Sequence, residues 1–244
     1  QQFQRAASLV CACEQIRRQN EPKLGSTRIS IGLWVGQSVT PNKNNDSVRA
    51  LDALLRYGEP NHFVVLTCPW CGVEMGPVHL RNAYQAKGYR RDGPKVVFRC
   101  EDPDCDFRDS HGLPLLVVDE AIYEERPTLV IGTVDKFAML PWIPEARGLF
   151  GLDDFQPFSP PDLIIQDELH LISGALGSMV GMYESTIDAL CQRKCNGGTF
   201  PAKVVASTAT ICRAPQQVHS LYARGIFLFP PQSLRAGDSF FAKE

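Results

Sequence analysis

The chain has 244 residues and a formal net charge of −2, with 44% hydrophobic and 21% charged residues. This composition excludes wholesale disorder, and no apolar stretch approaches the roughly 20 residues that a membrane-spanning helix needs. The near-neutral charge excludes an overall cationic surface for nucleic acid, so any such contact requires a local patch.

The spacing of apolar residues predicts helices and strands that alternate along most of the chain. We expect helices over residues 1–19, 47–57, 134–140, 174–194 and 215–224, and strands over 28–36, 128–133, 163–166, 203–207 and 226–229. The strands are continuous apolar runs, which is typical of parallel strands covered by helices on both faces. The pattern therefore predicts an α/β fold with a three-layer parallel sheet.

The segment 58–127 differs in character, because it carries four cysteines, several glycines and prolines, and short β-like runs such as 63–67 and 95–99. We expect it to be a small module inserted into the α/β fold. The resulting organisation is a first part of the fold, an insertion, a second part of the fold and a linker, over residues 1–57, 58–127, 128–229 and 230–244.

The cysteines of the insertion form a C-x2-C and a C-x4-C pair: Cys68, Cys71, Cys100 and Cys105. Four thiolates suit tetrahedral Zn²⁺, and a closed set of four leaves no open position for catalysis, so we expect a structural zinc site. Two disulfides or an iron–sulfur cluster are the alternatives. The odd total of nine cysteines and the absence of a signal peptide favour a reducing, cytoplasmic setting.

Residues 79–99 concentrate positive charge in this otherwise balanced chain, with six basic residues against one acidic residue. Aromatic residues are interleaved with them at Tyr84, Tyr89 and Phe98. Bases can stack on aromatic rings while cations follow the phosphates, so the segment is a candidate nucleic-acid contact. The residues that we expect to act are Arg90, Arg91 and Lys95. The alternative is an ordinary solvated face of a small module.

Polar residues follow two apolar strands further along the chain. Asp167 and Glu168 follow the strand at 163–166, and Ser207 ends the strand at 203–207. Parallel strands place such residues at one edge of a sheet, where α/β proteins bind ligands. An aspartate there can hold the Mg²⁺ of bound ATP, and a neighbouring carboxylate can orient or deprotonate the attacking water. Taken alone, the Asp-Glu pair could lie in an ordinary solvated loop at the end of a strand. The polar residues at the end of the second strand make that alternative less favoured.

These two segments resemble motifs II and III of superfamily 2 DExH helicases: Asp-Glu-Leu-His at 167–170 and Ser-Thr-Ala-Thr at 207–210. The resemblance implies a RecA-like lobe 1 and gives His170 a relay role between nucleotide and nucleic acid. It also implies that motif III couples hydrolysis to movement through Ser207, Thr208, Ala209 and Thr210.

The segment 131–137 resembles motif Ib, which makes Thr133 and Lys136 candidate contacts to nucleic-acid phosphates. Helix capping by Thr133 and a solvated Lys136 are the alternative. The motifs of the second lobe are not found in this sequence. The chain also lacks Gly-Lys-Ser and Gly-Lys-Thr, the signature of the phosphate-binding loop. We therefore expect the chain to be part of a longer protein and to be inactive alone, with the linker leading towards lobe 2.

The four-cysteine insertion together with the DELH and STAT motifs is similar to the DrmA helicases of bacterial DISARM anti-phage systems. That resemblance implies an ATP-dependent motor that engages DNA, single-stranded or with a single-stranded overhang, beside a partner protein with a DUF1998 domain. Two alternatives stay open. One is a superfamily 2 helicase of repair or restriction, and the other is a non-catalytic, zinc-bearing DNA-binding module on a degenerate ATPase fold.

Overall fold

A computed structural model describes residues 1–80, 83–152, 158–172, 174–195, 197–208, 214–231 and 240–241. The chain divides into two compact units, Gln1–Phe158 and Ser159–Glu244. No helix in the described part of the chain is both long and apolar enough to cross a membrane.

The first unit begins with two helices, a buried strand and a third helix. These are α1 (Gln2–Gln19), α2 (Glu21–Leu24), β1 (Ile31–Trp34) and α3 (Asn44–Tyr57). All four residues of β1 are buried, as the continuous apolar run predicts. The helix α3 ends at Gly58, which adopts the left-handed conformation that closes many helices.

Two antiparallel hairpins follow, formed by β2 (Gly76–Leu80) with β3 (Ala83–Lys87) and by β4 (Tyr89–Asp92) with β5 (Lys95–Phe98). Of the predicted run at 63–67, only Thr67 makes an isolated bridge, with Glu74. Tyr89 and Phe98 pack edge-to-face on each other and on Phe63 inside the core. The prediction that bases stack on Tyr89 and Phe98 is therefore wrong, because these rings are only 3% and 2% exposed.

The parallel sheet of the first unit has the strand order β6 (Leu115–Leu116), β1 and β7 (Leu129–Gly132). The strand β6 is followed by helix α4 (Asp119–Glu125), strand β7 and helix α5 (Val134–Ala138). Two 3₁₀ segments complete the unit, Leu140–Trp142 and Pro144–Phe150.

Central strand β1 needs a glycine where α4 crosses it. A Cβ on Gly32 would lie 2.9 Å from Pro127 Cγ and 3.1 Å from Ile122 Cγ1, so the close approach of α4 excludes a side chain. Residues 115–125, which were predicted to belong to the insertion, thus form a strand of the parallel sheet and a helix that packs on it. The reason is that β6 pairs directly with β1, at Ile31 opposite Leu115.

The second unit contains a strand–helix–strand crossover of two parallel strands, β8 (Leu163–Gln166) and a later strand, β11 (Lys203–Ala206). Between them lie helix α6 (Gly174–Leu190) and a hairpin of β9 (Arg193–Cys195) and β10 (Gly198–Phe200), and helix α7 (Ala214–Tyr222) follows. The predicted strand at 226–229 is wrong, because no strand forms there. The chain is a mixed α/β protein with parallel strands in both units, and a complete RecA-like lobe stays a prediction.

Candidate functional site

The four predicted metal ligands lie together in the first unit. The Sγ atoms of Cys68, Cys71, Cys100 and Cys105 all lie within 4.8 Å of one another. The Cys68–Cys105 pair is separated by 4.0 Å and the Cys71–Cys100 pair by 3.4 Å. Zinc–sulfur bonds of about 2.3 Å in a tetrahedron require sulfur–sulfur distances of about 3.8 Å. The cluster therefore fits one tetrahedral metal ion, whereas a disulfide needs about 2.05 Å and these cysteines are free.

The first pair of ligands sits on a tight turn. Gly72 has φ +80°, and its amide donates a 2.9 Å hydrogen bond to the Cys68 carbonyl. The Cys68 amide in turn donates to the Val73 carbonyl at 2.8 Å. Because an L-residue rarely adopts this φ, glycine after Cys71 lets the chain turn back and present both thiols to one point.

The second pair of ligands is braced against the first. The Cys100 amide donates to the Phe107 carbonyl at 3.1 Å, which closes the loop around Cys105. The Trp70 indole donates to Asp106 Oδ2 at 2.9 Å and packs edge-to-face on Phe107, with ring centroids 5.7 Å apart. These contacts hold both cysteine turns in one geometry, so the fold itself brings the four thiols together.

Burial raises the pKa of two of the four thiols. Cys68, Cys100 and Cys105 are buried and Cys71 is exposed. Desolvation raises the pKa of Cys100 to about 12 and also raises the pKa of Cys105. A metal ion that binds here would have to displace protons from these two thiols, so its affinity would fall as the pH is lowered.

The two strand-end motifs meet in the second unit. Strands β8 and β11 pair in parallel with Gln166 opposite Ala206, so the next residues of both strands emerge side by side. The Ser207 hydroxyl donates a short hydrogen bond to Asp167 Oδ1, and the Glu168 amide donates to the same oxygen at 3.0 Å. The Leu169 amide also donates to the Ser207 carbonyl at 2.9 Å. The polar residues that follow the two parallel strands are therefore in direct contact.

Glu168 adopts a left-handed backbone conformation, with φ +52° and ψ +43°. This conformation costs a non-glycine residue about 1 kcal/mol or more, and such residues cluster at functional sites. Glu168 is exposed, and its Oε2 lies 3.3 Å from Nδ1 of His170. Two carboxylates and a histidine thus follow β8 on one short loop. Thr208 is described and half-buried, whereas Ala209 and Thr210 lie outside the described residues.

The predicted motif Ib residues differ in exposure. Thr133 is exposed, and as the residue preceding α5 it makes no side-chain capping bond. Lys136 is only 7% exposed and forms an ion pair with Asp119, and its Nζ lies 3.4 Å from Asn42 Oδ1. This placement differs from the predicted phosphate contact, because the ammonium is held by a buried carboxylate. It differs equally from the alternative of a solvated lysine.

Arg90 and Lys95 of the basic segment are paired with acidic residues from outside it. Arg90 lies 2.5 Å from a Glu101 oxygen, and Lys95 lies 2.8 Å from Glu124 and 3.3 Å from Glu125. Arg91 is exposed and donates through Nε to the Gly93 carbonyl at 3.2 Å. A charge count within residues 79–99 could not reveal these partners, since all three glutamates lie beyond that window.

Asp119 was missed by the sequence analysis. It is 3% exposed, and although Lys136 lowers the pKa of its carboxyl, desolvation dominates and raises that pKa. Asp119 follows the apolar run at 115–118, and this is the same pattern of a carboxylate after a strand that predicts Asp167. The signal was hidden because the run was assigned to the insertion.

Comparisons with known proteins identify a relative over the whole chain. No family model matches the chain. The chain is 35% identical over 278 residues to DISARM protein DrmA of Bacillus paralicheniformis. The similarity covers 100% of the chain and 24% of that protein, so the chain spans about a quarter of its relative's length. The resemblance to DrmA that the DELH and STAT motifs indicated is therefore confirmed over the whole chain.

Proposed function

We propose that the chain is part of an ATP-dependent DNA helicase or translocase motor that acts in DrmA-type defence against phages. The observation that carries this proposal is the contact between Ser207 and Asp167 at the carboxyl ends of two parallel strands. The similarity to DISARM protein DrmA supports the biological setting.

Asp167 offers carboxylate oxygens, which are the ligands that Mg²⁺ prefers, at the end of a strand held by its neighbour. The ion would neutralise charge on the ATP phosphates. Glu168 is exposed beside it and orients or deprotonates the attacking water. His170 lies against Glu168, which suits a relay between the nucleotide and the nucleic acid.

Ser207 is the coupling residue of this proposal. Its hydroxyl bonds the carboxylate proposed to hold the metal, and its backbone bonds both Gln166 and Leu169. A change in the charge borne by Asp167 is therefore transmitted directly to β11 and to the Ser207–Thr208 segment. The phosphate-binding loop and the second lobe are supplied by the rest of the longer protein, and the 244-residue chain alone does not hydrolyse ATP.

The cysteine cluster holds structural zinc in this proposal, since four ligands close the coordination sphere. Single-stranded DNA is the proposed ligand of the Thr133 turn, with Arg91 as an exposed cation of the basic segment. A protein with a DUF1998 domain is the proposed partner.

The test uses the full-length protein that contains this chain. ATP hydrolysis is measured with and without single-stranded DNA for the unmodified protein and for Asp167→Asn, with the exposed Glu145→Gln as a matched control. We expect DNA to stimulate hydrolysis in the unmodified protein and the control, and Asp167→Asn to abolish it. Equal hydrolysis by Asp167→Asn, or hydrolysis indifferent to DNA, contradicts the proposal.

A further inference from the structure

A buried polar network joins three segments of the first unit. Lys136 of α5 pairs with Asp119 at the start of α4, with side chains 9% and 4% exposed. The same ammonium reaches Asn42, in the loop that follows β1. The Asp119 amide also donates to the Pro41 carbonyl at 3.4 Å. One ion pair thereby ties two helices to one loop.

Neighbouring contacts reinforce the same junction. The Glu120 amide donates to the Asn42 carbonyl at 3.0 Å, and the Glu120 carboxylate accepts from the Asn44 amide at 2.7 Å. Phe137 packs edge-to-face on buried Trp34, with ring centroids 5.2 Å apart. The end of the loop at 41–44 is therefore fixed by α4 and α5, while the exposed residues 36–39 form its free part.

The strand register brings the loop and the Thr133 turn together. Strands β1 and β7 pair in parallel with Trp34 opposite Gly132, and the Thr133 amide donates to the Trp34 carbonyl at 3.3 Å. The chain therefore leaves both strands at the same edge, with the loop beginning at Val35 and the turn at Thr133. Both are anchored at their far sides by the same ammonium.

We propose that Lys136 and Asp119 are positioning residues that latch the loop 36–42 to the Thr133 turn, so that one single-stranded nucleic-acid backbone lies across both. A buried ion pair adds little net stability compared with an apolar pair of similar volume, which suits a role in geometry. The inference rests on the proposed nucleic-acid function, and it assigns Lys136 an internal partner in place of a phosphate.

The two roles for Lys136 make opposite predictions for its partner. If Lys136 binds phosphate, Asp119→Asn removes a competing negative charge and strengthens DNA binding. If the pair is a latch, Asp119→Asn weakens DNA binding although it makes the protein more positive. The salt dependence of DNA binding also distinguishes the two roles. Each lost contact to a single-strand phosphate reduces the slope of log affinity against log salt concentration by about 0.7, whereas loss of a latch removes no phosphate contact of Lys136.

The experiment measures the affinity of the full-length protein for a dye-labelled single-stranded oligonucleotide by fluorescence anisotropy, at several salt concentrations. Asp119→Asn and Lys136→Met are compared with Asp135→Asn, an exposed carboxylate on the same helix as Lys136. We expect the two latch variants to lose roughly tenfold in affinity, with an unchanged salt slope and an unchanged KM for ATP measured without DNA. The control should bind DNA as the unmodified protein does or slightly more tightly.

Removing one partner of a buried ion pair can unfold a protein, so a double variant completes the design. Asp119→Leu with Lys136→Met leaves neither charge of this pair buried, and we expect it to retain zinc and native thermal stability while still binding DNA weakly. A stable double variant with full DNA affinity overturns the latch, as does tighter binding by Asp119→Asn.

Hydrogen exchange of residues 36–42 gives a reading that does not depend on DNA. The latch predicts faster exchange there in Asp119→Asn than in the Asp135→Asn control, and equal rates contradict it. If the unmodified protein fails to bind DNA yet the exchange accelerates, the proposed nucleic-acid function fails and the structural latch stands.

Discussion

Glu14 provides a quantitative test of how the first unit is held together. Its side chain is 1% exposed and accepts hydrogen bonds from Arg17 at two oxygens, from Arg18, and from the Ile29 amide at 2.9 Å. Burial alone would raise the pKa of this carboxyl, but the hydrogen bonds outweigh burial and lower the pKa from 4.5 to about 2. Glu14 thus connects α1 to the chain entering β1.

The lowered pKa of Glu14 determines how much its carboxylate contributes to the free energy of unfolding, and over which pH range that contribution is lost. Because the folded-state pKa is depressed, the stabilisation is fully present above about pH 4.5 and is lost as the pH falls towards 2. One pKa unit corresponds to about 1.4 kcal/mol, so ionised Glu14 contributes about 3 kcal/mol to the free energy of unfolding at pH 7. The variant Glu14→Gln should lose about that much and show a flatter pH dependence between pH 4.5 and 2.

Urea unfolding followed by the fluorescence of buried Trp34, which lies in the same unit, measures this effect at a series of pH values. The exposed glutamate Glu59, changed to Gln, is the matched control and should alter the unfolding free energy by less than about 0.5 kcal/mol. Since the variant and the unmodified protein share the cysteine cluster, the difference between them cancels any acid loss of metal. A Glu14→Gln variant as stable as the control at pH 7, or one with an unchanged acid dependence, would refute the reasoning.

Three further predictions concern the proposed sites. Metal analysis should find about one zinc per chain, and Cys100→Ser should remove it and destabilise the first unit; a metal-free protein that stays folded would contradict this. Changing Ser207 and Thr208 together to Ala in the full-length protein should spare much of the ATP hydrolysis while reducing strand separation or translocation, and equal loss of both would indicate misfolding. Arg91→Ser should weaken DNA binding and lower the salt slope more than Arg90→Ser, because Glu101 already neutralises Arg90; equal effects would contradict that difference.

The elements that could be predicted from the sequence are those whose own residues determine burial. The run at 31–34 is apolar throughout and forms a fully buried strand, and Asp167 and Ser207 meet because the strands before them are parallel neighbours. The cysteine cluster could also be predicted, because the residue type and the short spacings within each pair identify the ligands.

What could not be predicted depends on partners distant in sequence. The sequence around Lys136 is typical of a surface lysine. The packing of α4 on β1 places Asp119, 17 positions earlier, beside it, and this buries the pair. The short hairpin of β9 and β10 has few apolar residues and no clear alternation, so its pairing gives no sequence signal. The left-handed backbone of Glu168 is also invisible in the sequence, since no glycine or asparagine marks it.

The most direct test of the central claim is the ATP turnover of the Glu168→Gln variant of the full-length protein, measured with its affinity for ATP and Mg²⁺. The substitution keeps the size of the side chain and removes the carboxylate proposed to activate water. We predict that ATP binds with little change in affinity while turnover falls by at least about a hundredfold. Turnover equal to that of the unmodified protein, in a variant that binds ATP normally, would contradict the assignment of the β8 and β11 strand ends as the hydrolytic site.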